Sequence, residues 1–133
     1  MFAPLKSCLD DDWMNELRFA AVLLTRRVME KIKDDMDHEI FKEIYEQLLK
    51  RLDDAQDGIR IEAAKTFELF FDLLPEHWSN SLLEYTIKGV FIHLDDNNEA
   101  VRDAITKVLR KSCRINPQTF MDIAVDCHSR FTH

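Results

Sequence analysis

The stretch Leu52 to Arg60, Leu-Asp-Asp-Ala-Gln-Asp-Gly-Ile-Arg, returns 42 residues later as Leu94 to Arg102, Leu-Asp-Asp-Asn-Asn-Glu-Ala-Val-Arg. Both copies keep the same eight-residue step from Leu to Arg. A looser copy runs from Leu9 through Asp10 and Asp11 to Arg18; it is one residue longer and starts 43 residues upstream of Leu52. Punctuation at a period of about 40 is the mark of stacked helical repeats. A unit of that size cannot bury its apolar surface alone, so neighbours must share it. The expected fold is therefore all-α: an α-solenoid of stacked helix hairpins, with about six helices and no sheet. Such an array points to binding without naming what is bound.

Composition agrees with long helices and short turns. Hydrophobic residues make up 46% of the 133, enough for a core, while only two Gly and three Pro are present. That balance argues against sandwiches, barrels and disordered chains. A net charge of −7 repels nucleic-acid phosphate overall. Cys8, Cys113 and Cys127 are odd in number and lack CxxC spacing, which is read as reduced structural thiols and a cytoplasmic address. The longest apolar run near the start, Phe19 to Leu24, is far too short to span a bilayer, and no secretory signal precedes it.

Taken in order, residues 1–9 leave room for only part of a first helix. Asp10 to Asp12 are placed to cap the next, expected over about 13–33, with Leu17, Ala20, Ala21, Leu24, Val28 and Ile32 as its apolar face. A helix over about 38–52 follows, with Phe41, Ile44, Tyr45, Leu48, Leu49 and Leu52 as its stripe. The next, about 57–73, is apolar on more than one side: Ile59, Ala63, Phe67, Phe70 and Leu74 form one face, and Ile61, Ala64, Phe71 and Leu73 widen it. It should be covered by its own partner and by both neighbouring repeats. Pro75 opens a helix over about 76–94 that turns Trp78, Leu82, Leu83, Ile87, Val90, Phe91 and Leu94 inward. A fifth, about 99–114, carries Val101, Ala104, Ile105, Val108 and Leu109. Asn116-Pro117 starts the last, with Phe120, Ile123, Ala124, Cys127 and Phe131 on one side. The chain 1–133 is read as one domain, with repeat cores at about 1–33, 38–74 and 76–114 and a last helix at about 117–131.

The acidic pair of each repeat is expected to cap the helix that follows. The arginine lies in that helix's first turn, where a cation is unfavourable for the dipole, so a compensating carboxylate is expected. The nearest supply is the second Asp of its own loop or of a neighbouring one: Asp11, Asp54 and Asp96 against Arg18, Arg60 and Arg102.

This pattern is similar to the HEAT-repeat family, and the likeness runs over essentially the whole chain. In that family the loop Asp and helix Arg form a ladder between successive repeats. The resemblance carries that role to Asp54, Asp96, Arg60 and Arg102. It reaches Asp11 and Arg18 too, where the extra residue shifts the register. Within the family, Leu48 to Asp54, and His93 to Asp96 followed by Asp103-Ala104-Ile105 and Val108-Leu109, look like the closing repeats of the axonemal dynein assembly factors. That resemblance implies a cytoplasmic, non-enzymatic interaction scaffold. Its implied partners are other proteins, namely axonemal dynein chains and chaperone-type assembly factors, with no cofactor.

No chemistry competes with this. A calcium loop starting at Asp53 would have Asp57 and Gly58 in place, but Ala55 and Ala64 stand where ligands are required. His38-Glu39 lacks the second His of a zinc-hydrolase motif, since position 42 is Lys42. Cys127-His128 beside His133 supplies too few metal ligands, and two glycines cannot build a phosphate-cradling loop. Lys107, Arg110, Lys111 and Arg114 line one side of the fifth helix and are the best nucleic-acid candidate. A solvated, dipole-favoured helix end explains them more simply. Neither nucleic-acid nor membrane binding is expected. Two other readings stay open: a scaffold or transport-receptor solenoid of another pathway, and a nucleic-acid-binding HEAT domain.

Partners are expected on the face lined by the third and the fifth helices, or along exposed edges. The array reads as a fragment of a longer solenoid. With partial hairpins at both ends, the face of the first helix and Phe120, Ile123 and Phe131 of the last should be left open, giving end-mediated self-association.

Overall fold

A computed structural model describes residues 15–74 and 80–131. They hold six α-helices and no strand: α1 (Asn15–Ile32), α2 (His38–Leu52), α3 (Asp57–Leu73), α4 (Asn80–Phe91), α5 (Glu99–Ile115) and α6 (Pro117–Phe131). Short 3-10 turns, Lys33–Asp35 and Ile92–Asp95, follow α1 and α4. The helices lie in two layers. α1 packs on α3 and α3 on α5 in one layer, while α2, α4 and α6 follow one another in the other. The hairpins α2/α3 and α4/α5 join the layers, and α6 returns against both α4 and α5. The protein is an all-α solenoid of stacked hairpins.

α3 is central because its sequence leaves it little polar surface. Ile59, Ala63, Ala64, Phe67, Phe70 and Phe71 are all buried, and α1, α2 and α5 cover it. Its phenylalanines meet edge to face: Phe70 stands 5.4 Å from Phe41, 5.7 Å from Phe67 and 5.8 Å from Phe71 between ring centres. Edge-to-face pairs put a positive ring edge on a negative face and add to the area they bury. α2 contributes Phe41, Ile44, Tyr45, Leu48 and Leu52, α4 contributes Leu83, Ile87 and Val90, and α5 contributes Val101, Ile105, Val108 and Leu109.

Three expectations need correction. First, α1 buries Arg18, Ala21, Val22, Thr25 and Met29, not the predicted stripe. Of that stripe only Ala21 is buried, and Leu24 is 52% exposed. α1 carries two apolar faces, and α3 covers the one that includes Val22 and Met29. Second, the acidic pair does not cap the following helix. Asp54 Oδ1 accepts from the Gln56 backbone N–H at 3.0 Å, and Asp96 Oδ1 from that of Asn98 at 2.9 Å. These turns hold the loop ahead of the helix. The side-chain cap of α5 is Asn98, which accepts from the Val101 N–H, while Gln56 at the start of α3 makes no such bond. Third, the last helix is not laid bare. Ile123 is buried, and Phe120 is half-buried with its ring 5.9 Å from Phe91. Asn116 caps this helix by accepting from the Thr119 N–H at 3.1 Å. Residues 1–9, Asp10 to Asp12, Pro75, Trp78 and the side chains of Leu82, His128, Phe131 and His133 lie outside what is described.

Candidate protein-interaction surface

The loops between layers are held by guanidinium–carboxylate pairs. Arg18 donates from Nε to Asp54 Oδ2 at 2.7 Å and from Nη2 to Oδ1 at 3.1 Å. Arg60 repeats this on Asp96, with Nε to Oδ2 at 2.9 Å and Nη2 to Oδ1 at 3.2 Å. Each pair spans 36 residues and so ties one repeat to the next. The planar fork of arginine fits a carboxylate in two parallel bonds, which sets orientation as well as energy. Arg60 also donates from Nη1 to the Asp54 carbonyl at 2.9 Å, and Arg102 does the same to the Asp96 carbonyl at 2.7 Å. Arg60 thus closes its own loop while reaching for the next. Asp11, the remaining predicted member, lies outside the described residues.

Burial by itself would raise the Asp54 carboxyl pKa. The Arg18 hydrogen bond, the Gln56 N–H and the charges of Arg18 and Arg51 outweigh it and hold the group below the usual range. Asp96 is lowered in the same way: burial opposes, while Arg60, the Asn98 N–H and the charges of Arg60 and His93 prevail. Arg60 is raised, first by the Asp96 bond, against burial and with help from Asp57. His93 is lowered, because burial outweighs the charges of Asp53 and Asp96.

Sequence reasoning missed Arg51. It is buried and donates from Nη1 to Asp54 Oδ2 at 3.0 Å. Its signal was available, since it stands three residues before Asp54 in the recurring segment and is matched 42 residues on by His93. Arg26 was also missed; it bridges α1 to α3 through the Glu62 carboxylate, the Glu62 carbonyl and the Thr66 hydroxyl.

α1, α3 and α5 present one open face. A cleft of about 470 Å³ lies on it, floored by Ile61, Ala100 and Ala104 and rimmed by Arg26, Lys65, Lys107, Glu68 and Asp103. An apolar floor with a rim of both signs suits a protein surface rather than a polyanion. The basic stripe of α5 is broken, because Lys111 Nζ binds Asp72 at 2.5 Å with Glu68 at 3.9 Å. On the opposite layer, Leu49, Tyr85, Gly89, Ile92 and His93 line a second cleft of about 300 Å³, with Tyr85 and Ile92 largely exposed. Among the described residues no group of His, Cys, Asp and Glu is placed to hold a metal ion, and no helix is long and apolar enough to cross a membrane.

No family model matches the chain, and no solved structure does. Curated proteins do. The chain is similar to dynein axonemal assembly factor 5. Against the protein of that name from Xenopus laevis it is 33% identical over 78 residues, 56% of the chain and 9% of the relative. Against the human protein it is 33% identical over 85 residues, 61% of the chain and 10% of the relative. Against the mouse protein it is 25% identical over 117 residues, 85% of the chain and 14% of the relative. The chain therefore spans only about a tenth of the length of the assembly factors it matches.

Proposed function

We propose that this chain is a non-enzymatic, HEAT-type interaction scaffold that serves the cytoplasmic preassembly of axonemal dynein arms. The similarity to dynein axonemal assembly factor 5 over more than half of the chain carries the reading. The repeat partition proposed with it is 1–33, 38–74 and 76–114, followed by a helix over 117–131, as a stretch of a longer array. The ladder supports it, since Arg18–Asp54 and Arg60–Asp96 recur at one register. Partners are axonemal dynein chains and chaperone-type assembly factors, bound on the face of α1, α3 and α5 where Ile61, Ala100 and Ala104 floor the cleft.

The test is affinity capture from ciliated cells with mass spectrometry. Wild-type chain is compared with a Lys65→Glu, Lys107→Glu variant that reverses the rim. Enrichment of axonemal dynein chains, lost in the variant, is the expected result. Capture of nuclear transport cargo or nucleic-acid complexes in their place would overturn the assembly reading.

A further inference from the structure

α2 and α4 share one register. Phe41, Ile44, Tyr45 and Leu48 of α2 are buried, and so, 42 residues on, are Leu83, Thr86, Ile87 and Val90 of α4. The outward positions match in place but not in chemistry. Glu43 and Lys50 are exposed charges on α2, an ordinary solvated face. Their equivalents are Tyr85, 64% exposed, and Ile92, 54% exposed, and the core uses neither. Between the two helices, Gly89 stands where α2 has the buried Gln47. A Cβ on Gly89 would come within 2.7 Å of Leu49 Cδ2, so the missing side chain lets Leu49 lie against the α4 backbone. Tyr85 and Ile92 therefore flank an apolar floor of Leu49 and Gly89. Both walls are adjoining helices of one layer, so the α2–α4 contact itself makes the cleft.

The charges around this cleft do not balance. Lys88 Nζ is held by the Glu84 carboxylate at 3.1 Å. The Asp53 side chain is 73% exposed and faces His93 Nε2 at 3.5 Å. Burial keeps that ring neutral near pH 7, so it offers the carboxylate no full counter-charge. α2 and the turn after α4 also end here, and the carbonyl end of a helix carries partial negative charge. An apolar floor thus meets a negative end. At about 300 Å³ the space is at the small end of ligand pockets and suits a side chain or two of a peptide. Nucleic acid or an anionic lipid surface would bring phosphate against Asp53 and be repelled.

We propose that the α2–α4 cleft is a second docking site, which takes a short segment of a partner protein pairing a bulky apolar side chain with a nearby Lys or Arg. The apolar side chain lies on Leu49 and Gly89 between Tyr85 and Ile92, and the cation meets Asp53. The site is on the layer opposite the face of α1, α3 and α5, and it does not depend on the assembly-factor reading.

Random peptides displayed on phage are the probe. They are panned on the 133-residue chain and depleted on a Tyr85→Glu, Ile92→Lys variant. Those replacements copy what α2 carries at the same positions, so the variant should keep the wild-type thermal midpoint. Enriched peptides should pair Leu, Met, Phe or Trp with a Lys or Arg close in sequence. Made with a fluorophore, they should bind the chain in the micromolar range by anisotropy and lose about tenfold on the variant. Lys65→Glu with Lys107→Glu, on the opposite layer, should leave them unchanged, so failure at either face reads out separately. Asp53→Lys should weaken them about tenfold, and the same peptides with the cation replaced by Glu should regain that loss on Asp53→Lys. This charge exchange decides the matter if the midpoint of the first variant falls. No enrichment over the depleted variant, enriched peptides indifferent to Asp53→Lys, or a loss that the acidic peptides do not recover overturns the proposal. Sedimentation with phosphatidylserine vesicles through Tyr85 and Ile92 overturns it in favour of a membrane surface.

Discussion

Arg60 grips Asp96 with both Nε and Nη2 across 36 residues of chain, and among the described residues the Asp96 carboxylate has no second arginine. Asp54 sits in the same position relative to Arg18 but is held by Arg51 as well. The two rungs are alike in geometry and unequal in backup. That inequality decides what each arginine is worth.

Replacing Arg60 by Ala leaves Asp96 with the Asn98 N–H and the nearby His93. We expect a loss of ~2–4 kcal/mol, somewhat below the full cost of breaking a buried pair. Replacing Arg18 by Ala leaves Asp54 with Arg51, and the loss should be nearer ~1–2 kcal/mol. Urea melts of the two variants check this. Equal midpoints would refute the backup role of Arg51.

Acid should weaken the ladder. Asp54 and Asp96 both lie below the ordinary carboxyl range when folded, so the unfolded chain takes up protons first. Their contribution is complete above the ordinary value of about 4 and is lost as pH falls through it toward the lower folded values. Thermal midpoints measured downward from pH 6 should drop steeply near pH 4, and less steeply in the Asp96→Asn variant. A parallel drop in both proteins would assign the acid sensitivity to other carboxylates.

His93 works at higher pH. Burial disfavours its charged form, so the folded chain binds its proton less readily than the unfolded one. Stability from the neutral ring is full above the ordinary value of about 6.5 and declines as pH falls below it. Between pH 8 and pH 5.5, a His93→Gln variant should show a flatter stability profile than wild type. NMR titration of the imidazole gives the independent readout, and an ordinary or raised midpoint would contradict it.

α6 is held by Ile123, which is 2% exposed, and by Cys127. Ile123→Ala removes buried carbon from a site that can collapse only in part, and should cost ~2–4 kcal/mol. Met121→Ala, on the exposed side of the same helix, should change stability by less than ~0.5 kcal/mol. Comparable losses at both positions would mean that α6 is packed differently.

Nucleic acid should not bind. With Lys111 engaged by Asp72 and Glu68, the remaining cations of α5 face an acidic protein. Titration with duplex and single-stranded oligonucleotides at low salt should show no saturable binding. Micromolar affinity that falls steeply with salt and disappears with Lys107→Glu and Arg110→Glu would restore the nucleic-acid reading.

The helices and their stacking as hairpins of a solenoid were legible in the chain's own residues. The reason is physical: a 42-residue recurrence and helical periodicity are local properties, and α2, α3, α5 and α6 begin or end within a residue or so of where the apolar spacing and the Asn116-Pro117 signal put them. Packing settled which of two apolar faces of α1 meets α3, because Leu17, Leu24 and Val28 read as well as Val22 and Met29 until a neighbour chooses between them. It likewise decided which loop each arginine serves. Arg18 reaches Asp54 and Arg60 reaches Asp96, one repeat onward, because stacking brings the next loop's carboxylate onto the guanidinium fork, while Arg60's own loop offers it a backbone carbonyl. Spacing along the chain cannot distinguish those partners; packing between repeats does.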